Sequence, residues 1–85
     1  MQPTNYSTDD CIAAIGSVTL AIKAQRHLAA LGIGAEIISL PPKATRRGCA
    51  YGLAFPCPEE NGVRRSFRAA RIPISQYIKK GDIPP

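Results

Sequence analysis

Cys49 is the residue best suited to chemistry, because it follows a basic loop at the predicted start of a strand. Lys43, Arg46 and Arg47 lie within the six residues upstream of it. Nearby cations stabilise a thiolate, which is the form of cysteine that attacks electrophiles or carries a sulfur atom. The chain has one His and only 6 carboxylates, which show no paired spacing on a helix face. The sequence therefore predicts Cys49 as the reactive group.

The other two cysteines, Cys11 and Cys57, are predicted to have no chemical role. The three cysteines contain no CxxC pair, which argues against a zinc site and against a disulfide framework. Cys57 lies eight residues beyond Cys49, or roughly 26 Å along an extended strand, so these two cannot bridge. Cys11 and Cys57 could approach each other at the opposite rim. In a reducing cytosol we nevertheless expect three free thiols, with Cys11 in the core and Cys57 in a loop. We expect no metal and no cofactor.

Apolar runs, turn residues and helix caps divide the chain into six elements. We predict strands over residues 11–15, 35–40, 49–55 and around 74–78, with helices over 18–31 and from 58 to about 70. The order βαββαβ is that of a ferredoxin-like α+β fold, a four-stranded antiparallel sheet with two helices on one face. Residues 9–80 form the single predicted domain, and residues 1–8 and 81–85 are predicted tails. Along the third strand, side-chain alternation predicts that Cys49 shares a face with Tyr51, Leu53 and Phe55.

This topology is expected to bring Cys49 close to the start of the first helix. The first two strands run in the same direction and the third returns between them, so the loop over 41–48 meets the helix start at one rim. Unpaired backbone N–H groups and the positive end of the helix dipole lie at a helix N-terminus, where anions bind. The predicted anion-binding residues around Cys49 are Ser17, Lys43, Arg46, Arg47 and Gly48.

The charge of the chain fits an acidic partner without selecting one. It carries 11 Lys and Arg against 6 Asp and Glu, which gives a net charge of +5. Nucleic acid, an anionic ligand and an acidic protein surface all suit this charge, and so does a solvated basic surface. The sequence has no apolar run of the roughly 18 residues that span a membrane, and no signal-peptide pattern at its start. We therefore expect a soluble cytoplasmic protein that does not contact membranes.

The chain resembles the selenium/sulfur carrier-like family over about residues 11–78. The likeness rests on an apolar strand, a Ser-capped helix containing Ala21-Ile22-Lys23-Ala24, a strand that ends in proline and a strand that begins with cysteine. The single cysteine of the family maps onto Cys49. The resemblance implies a carrier or accessory protein more than a stand-alone enzyme. In that role the Cys49 thiolate takes sulfur or selenium from a donor protein as a persulfide or perselenide, and passes it to an acceptor by thiol exchange. The matching positions are Ser17, Ala21, Lys23, Ala24, Gly32, Pro41, Cys49, Leu53 and Tyr77.

An RNA-recognition-like module is the alternative with the same order of elements. The segment Arg47-Gly48-Cys49-Ala50-Tyr51 satisfies four of the five positions of the RNA-binding fingerprint on the third strand. Only Tyr51 could stack on a base, since the first strand has no aromatic residue, so such a platform would bind weakly. The orientation of Tyr51 separates the alternatives: it lies beneath the helices in a carrier and on the open sheet face in an RNA-binding protein.

Two readings without chemistry also remain open. Cys49 can be a small buried apolar residue, because free cysteines are often interior. The protein can also be a regulatory or assembly module, since Ala50, Gly52 and Ala54 would allow two sheets to approach closely in a homodimer.

Overall fold

The computed structural model describes residues 10–46 and 48–82. Its strands and helices are β1 (Asp10–Ile15), α1 (Val18–Ala30), β2 (Glu36–Ser39), β3 (Tyr51–Pro56), α2 (Glu60–Ala70) and β4 (Gln76–Lys79). Short 3-10 turns occupy Pro42–Ala44, Cys57–Glu59 and Lys80–Asp82. The βαββαβ order confirms the predicted ferredoxin-like α+β fold. The tail predicted over residues 1–8 lies outside the described residues, as do residues 83–85.

The four strands form one sheet in the order β2-β3-β1-β4, and every neighbouring pair is antiparallel. β3 therefore returns between β1 and β2, as the sequence predicts. β1 is a central strand, and five of its six residues are buried. Burial on both faces explains why its sequence is a continuous apolar run and does not alternate with polar residues.

The two helices cover one face of the sheet and enclose the main core. The hydroxyl oxygen of Ser17 caps α1 by accepting a hydrogen bond from the Leu20 N–H at 3.2 Å. Gly32 ends this helix in the left-handed region with φ of 80°. Neither helix of the described ranges is long and apolar enough to cross a membrane. The buried helix residues are Ala21, Ala24 and Leu28 of α1 and Val63 and Phe67 of α2.

The opposite face of the sheet is covered in its middle by the loop that joins β2 to β3. Strand and loop residues that are buried on this face are here called the second-face cluster: Ile12, Ala14, Leu40, Cys49 and Ala54. Gly52 of β3 makes this cover possible. A Cβ at that position would lie 2.6 Å from Ile12 Cγ2 and 3.1 Å from Leu40 Cδ1, so a larger residue would collide with the cover.

Candidate functional site

Cys49 is the free cysteine of the chain, because Cys11 and Cys57 form a disulfide and all three lie within the described ranges. The expectation of three free thiols was wrong. It rested on cysteine spacing and cellular compartment, whereas strand register brings the pair together. Cys11 lies opposite Phe55, so the residues just beyond the end of β3 meet the start of β1. The two cysteine Cα atoms are 4.9 Å apart, within the range that a disulfide spans.

A short turn fixes the backbone of Cys49. The Gly48 N–H donates to the Thr45 carbonyl at 3.3 Å, and Gly48 has a positive φ of 67°, which favours glycine. The buried Thr45 hydroxyl accepts a hydrogen bond from the Cys49 N–H at 2.8 Å. The Leu40 N–H donates to the Ala50 carbonyl at 2.8 Å and closes the loop. Thr45 was missed from sequence, although a threonine before a glycine turn often bonds nearby backbone.

Two predictions about the strand position of Cys49 were wrong. β3 begins at Tyr51, so Cys49 precedes the strand and does not start it. Leu53 and Phe55 pack in the main core beneath the helices, whereas Cys49 packs in the second-face cluster. Side chains alternate only within a regular strand, and Cys49 and Ala50 belong to the loop that precedes β3.

Cys49 lines a surface cavity of about 600 Å³ next to the start of α1. The residue is 8% exposed. Its Sγ lies 2.9 Å from the Oγ of Ser75, a distance at which either atom can donate the hydrogen bond. Ser75 is in turn held in place because its N–H donates to the Ala14 carbonyl of β1 at 3.0 Å. The lining residues are Gly16, Leu20, Gly48, Cys49, Ala50, Pro73, Ile74 and Ser75.

Only part of the predicted anion-binding set meets at this cavity. Gly48 lines it, and Ser17 caps the helix whose start borders it. Lys43 and Arg46 are exposed and are not among the lining residues. The backbone N–H of Arg46 donates to the Gln76 side chain at 3.2 Å. Arg47 lies outside the described residues. The polar side chain that meets the thiol is thus Ser75. Sequence reasoning missed it because Ser75 directly precedes β4, which pairs with the edge of β1 opposite to β3.

Tyr51 lies on the sheet face expected of a carrier, where it is half-buried and not fully buried. Within β3 it alternates onto the face of Leu53 and Phe55, which is the face beneath the helices. On the second face, the residues of the central strands β1 and β3 include no aromatic side chain; they are Asp10, Ile12, Ala14, Gly52, Ala54 and Pro56. Without an exposed aromatic side chain on these two strands, the sheet lacks the stacking platform of an RNA-recognition module. The geometry therefore argues against the RNA-binding alternative.

Fold and site together define a small ferredoxin-like α+β domain with one free cysteine beside the start of its first helix. The family model described as Putative Se/S carrier protein-like matches residues 10–79. The chain belongs to this family. No match was found among curated proteins or among solved structures.

Proposed function

We propose that the protein carries sulfur or selenium as a persulfide or perselenide on Cys49. Membership of the Se/S carrier protein-like family supports this role. The single observation that carries it is that the one unpaired thiol lines an open cavity with a hydroxyl 2.9 Å from its sulfur. As long as the disulfide is closed, neither Cys11 nor Cys57 offers a free thiol to an incoming sulfur atom.

The proposed transfer consists of two thiol exchange steps. In loading, the Cys49 thiolate attacks the outer sulfur of a donor protein's persulfide. A new S–S bond forms on Cys49, and the donor's inner sulfur leaves as a thiolate with the bonding electron pair. In delivery, a thiolate of the acceptor protein attacks the outer sulfur on Cys49, and Cys49 leaves as a thiolate. The two steps need no cofactor, because no net oxidation or reduction occurs.

The cavity supplies what the outer sulfur atom needs. Its volume accommodates the extra atom together with the approaching thiol of a partner. The Ser75 hydroxyl is placed to donate a hydrogen bond to a negatively charged sulfur, which is stronger than a bond to a neutral one. We assign the stabilisation of this anion to Gly48, which lines the cavity, and to the N–H groups at the helix start that Ser17 caps. The positive charge of Lys43, Arg46 and Arg47, which precede Cys49 in the sequence, is proposed to add to this effect.

Sulfur loading tests the proposal directly. The protein is incubated with inorganic polysulfide, desalted and weighed as an intact chain by mass spectrometry. We expect the wild-type chain to gain one sulfur atom, which cyanide then removes, and a Cys49→Ser chain to gain none. Equal loading of the Cys49→Ser chain, or no loading of the wild type, would contradict the proposal.

Ser75→Ala is expected to slow alkylation of Cys49 at neutral pH by about tenfold. Hydrogen bonds to charged groups contribute about 1.5–3 kcal/mol, and the exposed position of Ser75 places its bond near the low end. The matched control is Ser39→Ala, which removes an exposed hydroxyl from β2. Rates of iodoacetamide labelling at Cys49 measure the effect. Identical rates in both variants would show that Ser75 does not support the thiolate.

A further inference from the structure

We propose that Cys11, Cys57 and Glu60 form a second sulfur site, which exchanges with small carboxylate-bearing thiols and their disulfides. This site is separate from the proposed carrier function. Cys49 precedes β3 and Cys57 follows it, so the two sites lie at opposite ends of that strand. The exchange site stands on three observations: the unequal exposure of its two sulfurs, a carboxylate held beside Cys11, and a cavity that Cys11 and this carboxylate line.

The two cysteines of the disulfide differ in access. Cys11 lies in the main core and is 3% exposed. Cys57 is half-buried and lies in the 3-10 turn Cys57–Glu59, outside the regular strands. An incoming thiolate needs a clear approach to the sulfur that it attacks, so Cys57 is the sulfur that partners reach. Cys11 is then the buried sulfur that leaves when the bond is opened and that attacks Cys57 when the bond closes.

A carboxylate is held beside the buried sulfur. Glu60 Oε1 lies 3.7 Å from Cys11 Sγ. Arg64 holds the other carboxylate oxygen, with Nε at 2.8 Å and Nη2 at 2.6 Å from Oε2. The guanidinium of Arg64 lies 4.0 Å over the Tyr77 ring, and burial raises the pKa of that tyrosine, so its phenol stays neutral. This stack fixes the Glu60 carboxylate with one oxygen free to face Cys11.

A cavity of about 300 Å³ is lined by Cys11 and Glu60, on the Cys11 side of the disulfide, and indicates the class of ligand. This volume is at the small end of the range for ligand pockets. Two of its lining side chains, Arg64 and Lys79, are cationic, and Glu60 is the single acidic one. A small thiol with carboxylate groups fits both the volume and the excess of positive charge. The lining residues are Cys11, Glu60, Arg64, Tyr77, Ile78 and Lys79.

Closure of the site from the reduced state follows ordinary exchange chemistry. The Cys57 thiolate attacks a small disulfide, forms a mixed disulfide and releases one small thiolate. Cys11 then gives its proton to Glu60 Oε1, and the resulting thiolate attacks the Cys57 sulfur. The Cys11–Cys57 bond forms, a second small thiolate leaves with the bonding pair, and Glu60 passes its proton to solvent. The protein loses two electrons, which the small disulfide takes up as two thiols.

Glutathione and its disulfide serve as the probe, in a Cys49→Ser background that removes the carrier thiol. The outcome is therefore independent of sulfur loading at Cys49. We expect Cys11→Ser to trap glutathione on Cys57 and Cys57→Ser to leave Cys11 unmodified under the same conditions. Glutathione on Cys11 at a comparable rate would overturn the proposal. So would loss of the native circular dichroism spectrum on reduction of the otherwise unmodified pair, because the reduced chain would then not keep the folded site that closure requires.

Glu60→Gln tests the proton transfer, with Glu59→Gln as the matched control. Glu59 is the adjacent exposed carboxylate. We expect the disulfide to close from the mixed disulfide about tenfold more slowly in Glu60→Gln and at the wild-type rate in Glu59→Gln. Acid quenching at successive times, with mass spectrometry of each sample, measures this rate. Equal closure rates for the two variants would overturn the role of Glu60. If Glu60→Gln fails to fold, the trapping result at Cys57 decides the proposal.

Discussion

Loss of the Cys11–Cys57 disulfide is expected to lower the free energy of unfolding by about 4 kcal/mol. The bond joins residues 46 positions apart and so restricts the unfolded chain, whose entropy rises when the bond is broken. This is a large effect for a chain of 85 residues, since native domains are commonly stable by only about 5–15 kcal/mol. Urea unfolding followed by circular dichroism, with and without dithiothreitol, measures the difference.

Two variants separate the cross-link from other effects of the reductant. Cys11→Ala/Cys57→Ala should be destabilised in both buffers and should no longer respond to dithiothreitol. Cys49→Ala keeps the cross-link and should lose about as much stability on reduction as the wild type does. A drop of less than about 1 kcal/mol on reduction of the wild type would show that the unfolded chain is already compact around this pair.

The sequence predicted the elements of the fold because their signals are local. The apolar run of β1, the Ser17 cap and the glycine that ends α1 each act within a few residues, and the structure reproduces them. The order of these elements then defined the sheet. The sequence also identified Cys49 by elimination among few candidate groups, and its role in sulfur transfer stays a prediction.

The contacts of the site escaped prediction because they depend on register and on one loop conformation. Ser75 is 26 residues from Cys49 in the chain and meets it only because β1 holds the Ser75 backbone. The basic residues of the loop show the converse case. Lys43 and Arg46 are near Cys49 in sequence, but the turn leaves them exposed and away from the cavity lining. Proximity along the chain was a poor guide to contact within this loop.

The second large effect is expected for Gly52→Ala, which should destabilise the fold by about 1–3 kcal/mol through overpacking. A loss of stability would be informative, because alanine normally suits a strand interior better than glycine does. Here the new Cβ would lie 2.6 Å from Ile12 Cγ2 and 3.1 Å from Leu40 Cδ1. Ile12 is fully buried, and its Cγ2 is attached directly to Cβ, so this methyl group cannot swing aside as the end of a long side chain can. Leu40 must give way, and with it the loop that carries Cys49.

Gly62→Ala is the matched control for this substitution. Gly62 lies inside α2, and a Cβ there would meet nothing within 4 Å. Alanine should therefore stabilise this helix by up to about 1 kcal/mol. Urea unfolding measures both variants, and iodoacetamide labelling of Cys49 should become faster in Gly52→Ala alone as its loop loosens. A Gly52→Ala chain with wild-type stability and labelling would mean that Leu40 can shift without disturbing Cys49, and that the second-face cluster does not hold the thiol in place.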